Sequence, residues 1–368
     1  MANQRLVHIT TNLGMGGAEH FLFHLVRHLQ PSFDQTVISF RGGVFEERIR
    51  ALGVPVYIIP FNYLIFYRLF KVLFAVKPDV IHALLWSSNT ISRVVGSLLR
   101  VPVVCAIHSP VNSDGYDSRM RTIIDRLTMW LATRVVMVSA HVRDSSALTR
   151  WVPAQRMVFI ENGIDAHYMC EQVSRLAIGR DRLAIPSHAL VIGTVGRCVA
   201  LKNQELVVRA IAALRHDTRA WYAVIVGDGP LRKELRILAV ELGVNDRVIM
   251  VSGAAAAYYS LFDFFILPSH IEGLSMALLE AMSLGIPVLA SAQANHGVII
   301  DGFNGFIFDA SNSDEVVQIL RKMANNSHLC AACTQKAQED SVQRFSFART
   351  AQEYANLFLR VGRRCEYC

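Results

Sequence analysis

Two glutamates stand eight residues apart in a segment that is otherwise mostly small or apolar. Glu272 and Glu280 belong to the stretch Pro268–Gly285, where apolar residues at helical spacing predict a helix that starts at or just after Glu272. At about 1.5 Å per residue, the two positions would lie about 12 Å apart along that helix. The carboxylates of a retaining glycosidase lie only about 5 Å apart. The spacing therefore favours one long ligand held at two points, and a solvated helix with incidental glutamates is the alternative.

Two cations precede another predicted helix. Arg197 follows the predicted strand Leu190–Val195, and Lys202 comes five residues later, before a helix that starts near Asn203. Cations at a strand–helix junction, with the N–H groups of the helix behind them, suit a diphosphate. An exposed basic loop is the alternative, but lysine is scarce in this chain. The presence of one of these few lysines, Lys202, at this junction therefore favours a ligand-binding role.

His108 is a candidate site residue in the first half of the chain. It directly follows the predicted strand Val101–Ile107, at the carboxyl edge where ligands bind in open α/β sheets. A structural histidine is the alternative. Asp114, in the polar loop that follows, is a further candidate.

Gly16 and Gly17 lie between the first predicted strand, Leu6–Thr10, and a helix that runs to Leu29. Glycines in this position let backbone N–H groups come close to a phosphate or a sugar, and a plain tight turn is the alternative. Glu19 stands where a dinucleotide fingerprint has its third glycine, and the second strand ends without the acidic residue that would hold a ribose. A nicotinamide-dependent oxidoreductase is therefore disfavoured.

The elements that must position these residues alternate between strands and helices. Strands too apolar to have a wet face, separated by helical stretches, predict an α/β fold with parallel sheets covered on both sides. The predicted strands are Leu6–Thr10, Thr36–Phe40, Val54–Ile59, Asp79–Ala83, Val101–Ile107, Arg134–Ser139, Met157–Ile160, Leu190–Val195, Tyr222–Val226, Val248–Val251, Phe264–Leu267 and Val288–Ala290.

A chain of 368 residues is long enough for two domains of ordinary size. Weaker patterning between about Tyr168 and Ser187 predicts a linker. We expect an N-terminal domain over residues 1–170 and a C-terminal domain over residues 187–345. Residues 346–368 would add a helix, from Phe347 to about Leu359, that braces the two halves, and a tail.

Composition and charge restrict the class of protein and its partners. With 52% hydrophobic and 18% charged residues, the chain is predicted to be globular. A net charge of +7 suits phosphorylated ligands or anionic lipid, whereas nucleic acid is disfavoured because no signature for it is present. No apolar run approaches the roughly 20 residues of a spanning helix, and an early strand leaves no room for a signal peptide. We therefore expect a cytoplasmic protein.

The segment Phe61–Lys77 is rich in aromatic residues, with Arg68, Lys71 and Lys77 interspersed. Such a helix could lie on an anionic membrane surface, because its aromatic residues exceed what one buried face needs. A helix packed on the sheet is the alternative.

Seven cysteines include two CxxC pairs, Cys330/Cys333 and Cys365/Cys368. Four thiolates can form a zinc site. Ordinary thiols are the preferred interpretation, because the first pair lies in a helical stretch and the second in a terminal tail.

Together these segments resemble the glycosyltransferase family 4 group of retaining, nucleotide-sugar-dependent enzymes, which have the GT-B architecture of two Rossmann-like, doubly wound parallel-sheet domains. The resemblance covers nearly the whole chain. The arginine–lysine pair followed by the two glutamates is its most specific part. Its other carriers are GGAE at Gly16–Glu19, PDVIH at Pro78–His82, ENGID at Glu161–Asp165, GRCVALKN at Gly196–Asn203, VGDGP at Val226–Pro230 and DGFNGF at Asp301–Phe306.

The resemblance implies a role for each residue on the donor side. Arg197 and Lys202 correspond to the cations that hold the donor diphosphate and the charge of the leaving group. Glu280 corresponds to the carboxylate that binds the nucleotide ribose. Glu272 corresponds to the acidic residue beside the sugar and the reaction centre.

The resemblance also implies further contacts. His108 matches the histidine that faces the donor sugar, and Gly16–Gly17 match the loop that approaches the diphosphate and the acceptor. Gly273 and Leu274 are implied to share in donor binding. In the family the two domains close over a cleft, and neither a metal nor another cofactor is needed.

Two segments depart from the family pattern. Ala254–Phe262 is short and rich in alanine where the family has a longer loop and helix that contact the base. The loop Ser291–Val298 lacks the usual G-x-P-E pattern, and Gly297 stands about where its acidic residue is expected. These departures leave a second hypothesis, a GT-B-shaped binding or scaffold protein that has lost catalysis.

The first hypothesis is the enzyme that the resemblance implies. It would move a hexosyl unit from a nucleotide diphosphate sugar to a glycan or lipid-linked acceptor in cell-surface polysaccharide synthesis. It would act in the cytoplasm or on the inner face of the membrane.

Overall fold

A computed structural model of the chain describes residues 3–30, 32–108, 119–139, 142 and 151–362. The chain forms two compact units. The first consists of Met1–Asn162 with Phe347–Cys368, and the second is Gly163–Ser346. The segment Tyr168–Ser187 belongs to the second unit, and so does its helix Ala166–Leu176.

The first unit is built on a parallel sheet, which in the described residues has seven strands in the order β3-β2-β1-β4-β5-β6-β7. The strands are β1 Gln4–Thr10, β2 Phe33–Ser39, β3 Val56–Ile58, β4 Val80–Leu84, β5 Val103–Ile107, β6 Arg134–Met137 and β7 Met157–Phe159. The helices are α1 Gly17–Leu29, α2 Val44–Arg50, α3 Ile65–Val76, α4 Trp86–Leu99, α5 Arg119–Thr128 and the C-terminal helix Phe347–Gly362.

Chain direction decides which face of this sheet each helix covers. From β1 to β3 the chain moves one way across the sheet, and from β3 to β6 it moves the other way. Since parallel crossovers are right-handed, α1 and α2 lie on one face and α3, α4 and α5 on the other. The helix Phe347–Gly362 packs against α1. The reversal between β1 and β4 opens a crevice at their carboxyl ends, and the chain that leaves β1 there leads through Gly16 to Gly17, the first residue of α1.

The second unit repeats the same plan. Its parallel sheet has six strands within the described chain, in the order β10-β9-β8-β11-β12-β13. The strands are β8 Leu190–Val195, β9 Trp221–Val226, β10 Val248–Val251, β11 Phe264–Leu267, β12 Val288–Ser291 and β13 Phe306–Phe308. The helices are α6 Ala166–Leu176, α7 Gln204–Ala213, α8 Arg232–Glu241, α9 Met276–Ser283, α10 Ala292–Asn295, α11 Ser313–Asn325 and α12 Ser327–Gln343, followed in chain order by Phe347–Gly362, which is α13.

The predicted α/β fold class is confirmed, because every strand pair in both sheets is parallel and helices lie on both faces. Each predicted strand exists, with ends that differ by at most three residues. The strand β13 is not predicted by the sequence pattern. Its three residues are too few to show a strand pattern, and its pairing with β12 comes from the tertiary fold.

Candidate active site

The predicted diphosphate and glutamate segments meet at one edge of the second sheet. β8 and β11 are neighbours, joined in register at Phe264 and Ile192. They are also the strands from which the chain moves in opposite directions across the sheet. Such a reversal opens a crevice at the carboxyl ends of the strands. Arg197 follows β8 and Glu272 follows β11, so the two loops border this crevice.

Hydrogen bonds to backbone carbonyls hold the two loops against each other. The N–H of His270 donates to the carbonyl of Leu201 at 2.8 Å. The side-chain amide of Asn203 donates to the carbonyl of Pro268 at 3.1 Å and to that of Ala310 at 2.9 Å. Asn203 has a φ of +50°, a left-handed conformation that asparagine tolerates better than most residues. The last turn before α7 is therefore held rigidly beside the loop that carries Glu272.

Lys202 and Glu272 form an ion pair. The Lys202 Nζ contacts Glu272 Oε1, and the side chains are 27% and 11% exposed. The hydroxyl of Ser269 donates to the same carboxylate oxygen at 2.8 Å. Lys202 itself lies in the 3₁₀ turn Ala200–Lys202 that leads into α7. The structure thus brings together the predicted cation and the first predicted carboxylate.

Arg197 lies on the same loop as Lys202, directly after Gly196. Its residue is exposed, while its backbone carbonyl accepts a hydrogen bond at 3.1 Å from the side chain of Gln204 in α7. The backbone of Arg197 is therefore anchored, while its side chain belongs to an exposed residue. Such a cation can bind a ligand that enters from solvent.

The helix with the second carboxylate is shorter than predicted. Ser275 caps α9 by accepting from the N–H of Leu278 at 3.4 Å, so the helix starts at Met276. Glu272 therefore lies in the preceding loop, and Glu280 is the fifth residue of α9, little more than one turn inside. The predicted helix start at or just after Glu272 is wrong, because the capping Ser275 comes after Glu272 and the helix starts at Met276. The distance of about 12 Å that the helical rise gives therefore does not apply to Glu272 and Glu280.

Glu280 is buried in α9. Its residue is 7% exposed, and the hydroxyl of Tyr259 donates to its Oε2 at 2.6 Å. Burial raises the pKa of Glu280 to about 7, against the opposing effect of the Tyr259 hydrogen bond. A carboxyl group with a pKa near neutrality changes charge with small changes of pH or ligand.

Tyr259 was not predicted as a site residue. It stands in the short segment Ala254–Phe262, which folds into the 3₁₀ turns Ala255–Ala257 and Tyr259–Leu261. Burial and the Glu280 carboxylate raise the pKa of Tyr259 well above its ordinary value. The available signal was a tyrosine in an apolar run, since a buried phenol hydroxyl needs a hydrogen-bond partner.

Gly273 and Leu274 lie between the two carboxylates in sequence. Both are buried. The side chain of Leu274 belongs to the hydrophobic core beside α9, with residues such as Leu278. Leu274 thus anchors the loop to the core, and any contact with a donor would fall to its backbone.

In the first unit, His108 directly follows β5, as predicted. Its ring lies 4.7 Å from that of Phe21, centroid to centroid. Burial lowers the pKa of His108 to about 4, so the imidazole is neutral at physiological pH. Its Nε2 is buried and has no hydrogen-bond partner among the residues that the structure describes. Asp114 lies outside those residues.

The glycine at Gly16 leaves room for the side chain of Glu19 in the loop after β1. A Cβ atom there would come within 2.4 Å of Glu19 Oε2. Glu19 is 6% exposed, and burial raises the pKa of its carboxyl group. Gly17 is the first residue of α1. The glutamate that departs from the dinucleotide fingerprint therefore packs inside the loop.

The described CxxC pair lies on α12, with both Cys330 and Cys333 buried. Their thiols donate to the carbonyls of Met323 at 3.3 Å and Gly302 at 3.4 Å. Burial raises the pKa of both thiols. These contacts are those of ordinary protonated thiols, and Cys365 and Cys368 lie outside the described residues.

Within Phe61–Lys77, the helix α3 packs through one face and exposes the other. Ile65, Leu69 and Leu73 are buried at helical spacing. The exposed aromatic residues of the segment are Phe61 at 59%, Tyr63 at 91%, Phe66 at 47%, Tyr67 at 56%, Phe70 at 36% and Phe74 at 64%. In the described part of the chain, no helix combines the length and apolarity needed to span a bilayer.

Models of known protein families match both halves of the chain. Residues 178–340 match the family model "Glycosyl transferases group 1", and residues 15–168 match "Glycosyltransferase Family 4". The alpha-D-kanosaminyltransferase of Streptomyces kanamyceticus is 24% identical over 287 residues, which cover 74% of this chain and 72% of that protein. The UDP-Gal:alpha-D-GlcNAc-diphosphoundecaprenol alpha-1,3-galactosyltransferase of Escherichia coli is 23% identical over 274 residues, or 71% and 70% of the two proteins.

A solved structure shares the fold. The crystal structure of Anabaena HepE in complex with UDP-glucose gives a TM-score of 0.85 at 20% identity and covers 97% of this chain and 100% of that one. At this identity the likeness concerns the fold alone. With two doubly wound units and a family model matching each half, the chain belongs to the group 1 glycosyltransferases of family 4 and has the GT-B fold.

Proposed function

We propose that this chain is a metal-independent, retaining glycosyltransferase. It would move a hexosyl unit from a nucleotide diphosphate sugar to a glycan or lipid-linked acceptor in cell-surface polysaccharide synthesis. The observation that carries the proposal is the ion pair of Lys202 and Glu272 at the crevice between β8 and β11. The names of relatives support it, since the E. coli protein is named for UDP-Gal and a diphosphoundecaprenol acceptor, and HepE was solved with UDP-glucose.

The proposed chemistry places positive charge where negative charge develops. As the bond between the anomeric carbon and the diphosphate oxygen breaks, its electron pair leaves with the nucleoside diphosphate. Arg197 and Lys202 would stabilise that charge, as preorganised cations do in enzymes that need no metal. Glu272, tied to Lys202 and Ser269, would lie beside the sugar and orient the lysine.

Glu280 would accept hydrogen bonds from the ribose hydroxyls of the donor. Its ionised form offers up to four acceptor sites, of which Tyr259 occupies one on Oε2. Gly273 and Leu274 would contribute backbone contacts on the same side. In the first unit, the neutral imidazole of His108 and the backbone N–H groups of Gly16 and Gly17 would take part in binding the sugar and acceptor.

A membrane partner belongs to the same proposal. Exposed aromatic rings alternate with Arg68, Lys71 and Lys77 along Phe61–Lys77, and Lys71 Nζ lies 4.8 Å from the ring centre of Tyr67. Aromatic and basic side chains on one exposed helix face suit the headgroup region of an anionic bilayer. The enzyme would then act in the cytoplasm, at the inner face of the membrane.

The direct test is sugar transfer by two variants. Lys202→Ala and Glu272→Gln are expected to abolish transfer of a hexose from the donor that the wild-type protein uses, with circular dichroism unchanged. A chelator added to the wild type should leave the rate unchanged if no metal takes part. Full activity in both variants would sink the proposal.

The second candidate is a GT-B protein that binds but does not transfer. The short segment Ala254–Phe262 favours it, because that segment replaces a longer base-contacting region of the family with two 3₁₀ turns. Calorimetric titration with UDP, GDP and ADP separates the candidates. An enzyme must bind one of them, and binding to none would favour the scaffold.

A further inference from the structure

The helix α5 buries a polar side chain and exposes apolar ones, which is the reverse of an ordinary surface helix. Asp125 is its one buried residue between Arg119 and Thr128, while three of its four apolar side chains are exposed and Ile124 is partly buried. Positions three, four and three residues apart fall on one stripe of a helix surface. The exposed apolar residues at this spacing are Met120 at 63%, Ile123 at 52%, Leu127 at 65% and, in the following 3₁₀ turn, Trp130 at 63%.

A buried polar anchor holds α5 in this orientation. Asp125 Oδ1 accepts from the guanidinium of Arg93 in α4 at 2.6 Å, and both side chains are at most 3% exposed. The indole N–H of Trp86 donates to Asp125 Oδ2 at 2.8 Å. Turning the apolar stripe inward would break both bonds inside the protein. The exposure of the stripe is therefore set by the fold.

The stripe lies on the same side of the unit as the exposed aromatic residues of α3. α3, α4 and α5 connect strands that follow one another in one direction across the sheet, so they cover the same face. α3 packs against α4, which in turn packs against α5. Two outward-facing apolar surfaces thus flank one central helix.

Charge identifies the kind of partner that this face suits. Across Phe61–Lys77, Trp86–Arg100 and Arg119–Thr128, the sequence contains one acidic residue, Asp125, and it is buried and paired. The exposed cations of the three segments are Arg68, Lys71, Lys77, Arg100, Arg119 and Arg126. Within these three described segments, exposed apolar side chains occur together with cations and without an exposed carboxylate, a combination that matches the interface of a bilayer that contains anionic lipid.

We propose that the α5 stripe, Met120, Ile123, Leu127 and Trp130, is a second membrane-docking element beside α3. It would bind the interface of an anionic bilayer by inserting these side chains among the headgroups. This inference rests on the proposed function for its purpose, which is to hold the protein near a lipid-linked acceptor. Its evidence, the inverted helix and its buried anchor, is independent of the sugar chemistry.

The test is co-sedimentation of the full chain with vesicles. One set contains phosphatidylcholine alone and the other an equal mixture of phosphatidylcholine and phosphatidylglycerol. The double variant Ile123→Glu/Leu127→Glu changes two exposed positions of the stripe. The matched control is Ile237→Glu/Val240→Glu on α8 of the second unit, where the same kinds of residue are 48% and 62% exposed.

We expect the wild type and the α8 control to bind the phosphatidylglycerol vesicles, and the α5 variant to bind them at least about tenfold less. Equal binding by wild type and α5 variant, or no binding by the wild type, would overturn the inference. So would light scattering that shows a wild-type dimer dissociated by the α5 changes, because a second copy would then cover the stripe. Nucleotide titration of the same proteins tests the proposed function separately.

Discussion

Glu280 gives a pH dependence at the residue scale. A carboxyl group with a pKa of about 7 must be ionised before both of its oxygens act only as acceptors, one of them already bonded to the Tyr259 hydroxyl, and can accept from ribose hydroxyls. The affinity for the nucleoside diphosphate should therefore rise with pH and level off above about 7. Below the pKa it should fall by up to about tenfold per pH unit. Calorimetric titration across this range measures it.

The control for this pH dependence is Glu280→Gln, which should bind more weakly with no inflection near neutrality. Tyr259→Phe gives a second check. The Tyr259 hydrogen bond lowers the pKa of Glu280 against the effect of burial, so its loss should move the inflection to higher pH. An inflection that persists in Glu280→Gln would assign the titration to another group.

At the same scale, the sequence pattern identifies Lys202, Glu272 and Glu280 as candidate site residues. It does not identify Tyr259, the hydrogen-bond partner of Glu280. Lys202 and Glu272 were predicted because cation and carboxylate stood beside a strand end and a helix. Tyr259 was not, because its contact with Glu280 joins positions 21 residues apart through a turn that has no sequence pattern. The roles proposed for Arg197, Lys202, Glu272, Glu280 and His108 stay predictions.

At the scale of elements, the buried pair Arg93–Asp125 should contribute to the stability of the first unit. Removing one partner of a buried ion pair leaves an uncompensated charge and costs about 3–5 kcal/mol. Asp125→Ala should lower the free energy of unfolding by that amount in chemical denaturation. Its matched control is Asp217→Ala, which removes an ion pair of similar length, 2.9 Å, from the surface of the second unit.

The control should change stability by no more than about 1 kcal/mol, because an exposed pair is screened by solvent. If both variants lost the same stability, the anchor assigned to α5 would have no energetic basis.

The position of Asp125 was not predicted from sequence, since a lone aspartate in an arginine-rich stretch gives no sign of burial. The start of α9 was predicted at the wrong residue, because the helix begins at Met276, after the cap at Ser275.

Buried histidines give a prediction for the whole molecule. Burial lowers the pKa of His8, His20 and His108 to about 4, and those of His24 and His82 well below the ordinary value. All five lie in the first unit. A folded-state pKa below the unfolded value of about 6.5 means stability that is present above that pH and lost as the pH falls toward 4. Each such histidine removes about 1.4 kcal/mol per pH unit over this window.

The first unit should therefore open before the second on acidification. Hydrogen exchange followed by mass spectrometry, at about pH 7 and about pH 5, reports both units in one experiment. Protection should fall mainly in the peptides of β1, β4 and α1, which carry four of these histidines. A loss of protection confined to the second unit would contradict the assignment.

The fold of the whole chain was the most predictable level. Apolar strands alternating with helices predicted both parallel sheets, because strands buried on two faces have a distinctive composition. The boundary between the units was less apparent in the sequence, where the patterning weakens only after Tyr168, whereas the second unit begins at Gly163. The C-terminal helix returns to the first unit through contacts that no local pattern encodes.

The central claim is that Lys202 holds the diphosphate of a donor nucleotide at the crevice between β8 and β11. The affinity of Lys202→Ala for the nucleoside diphosphate that the wild type binds, measured by calorimetry, tests it most directly. Lys233→Ala, an exposed lysine of α8, is the matched control. The account predicts a loss of about tenfold or more for Lys202→Ala and none for Lys233→Ala. Equal affinities in the two variants would contradict it.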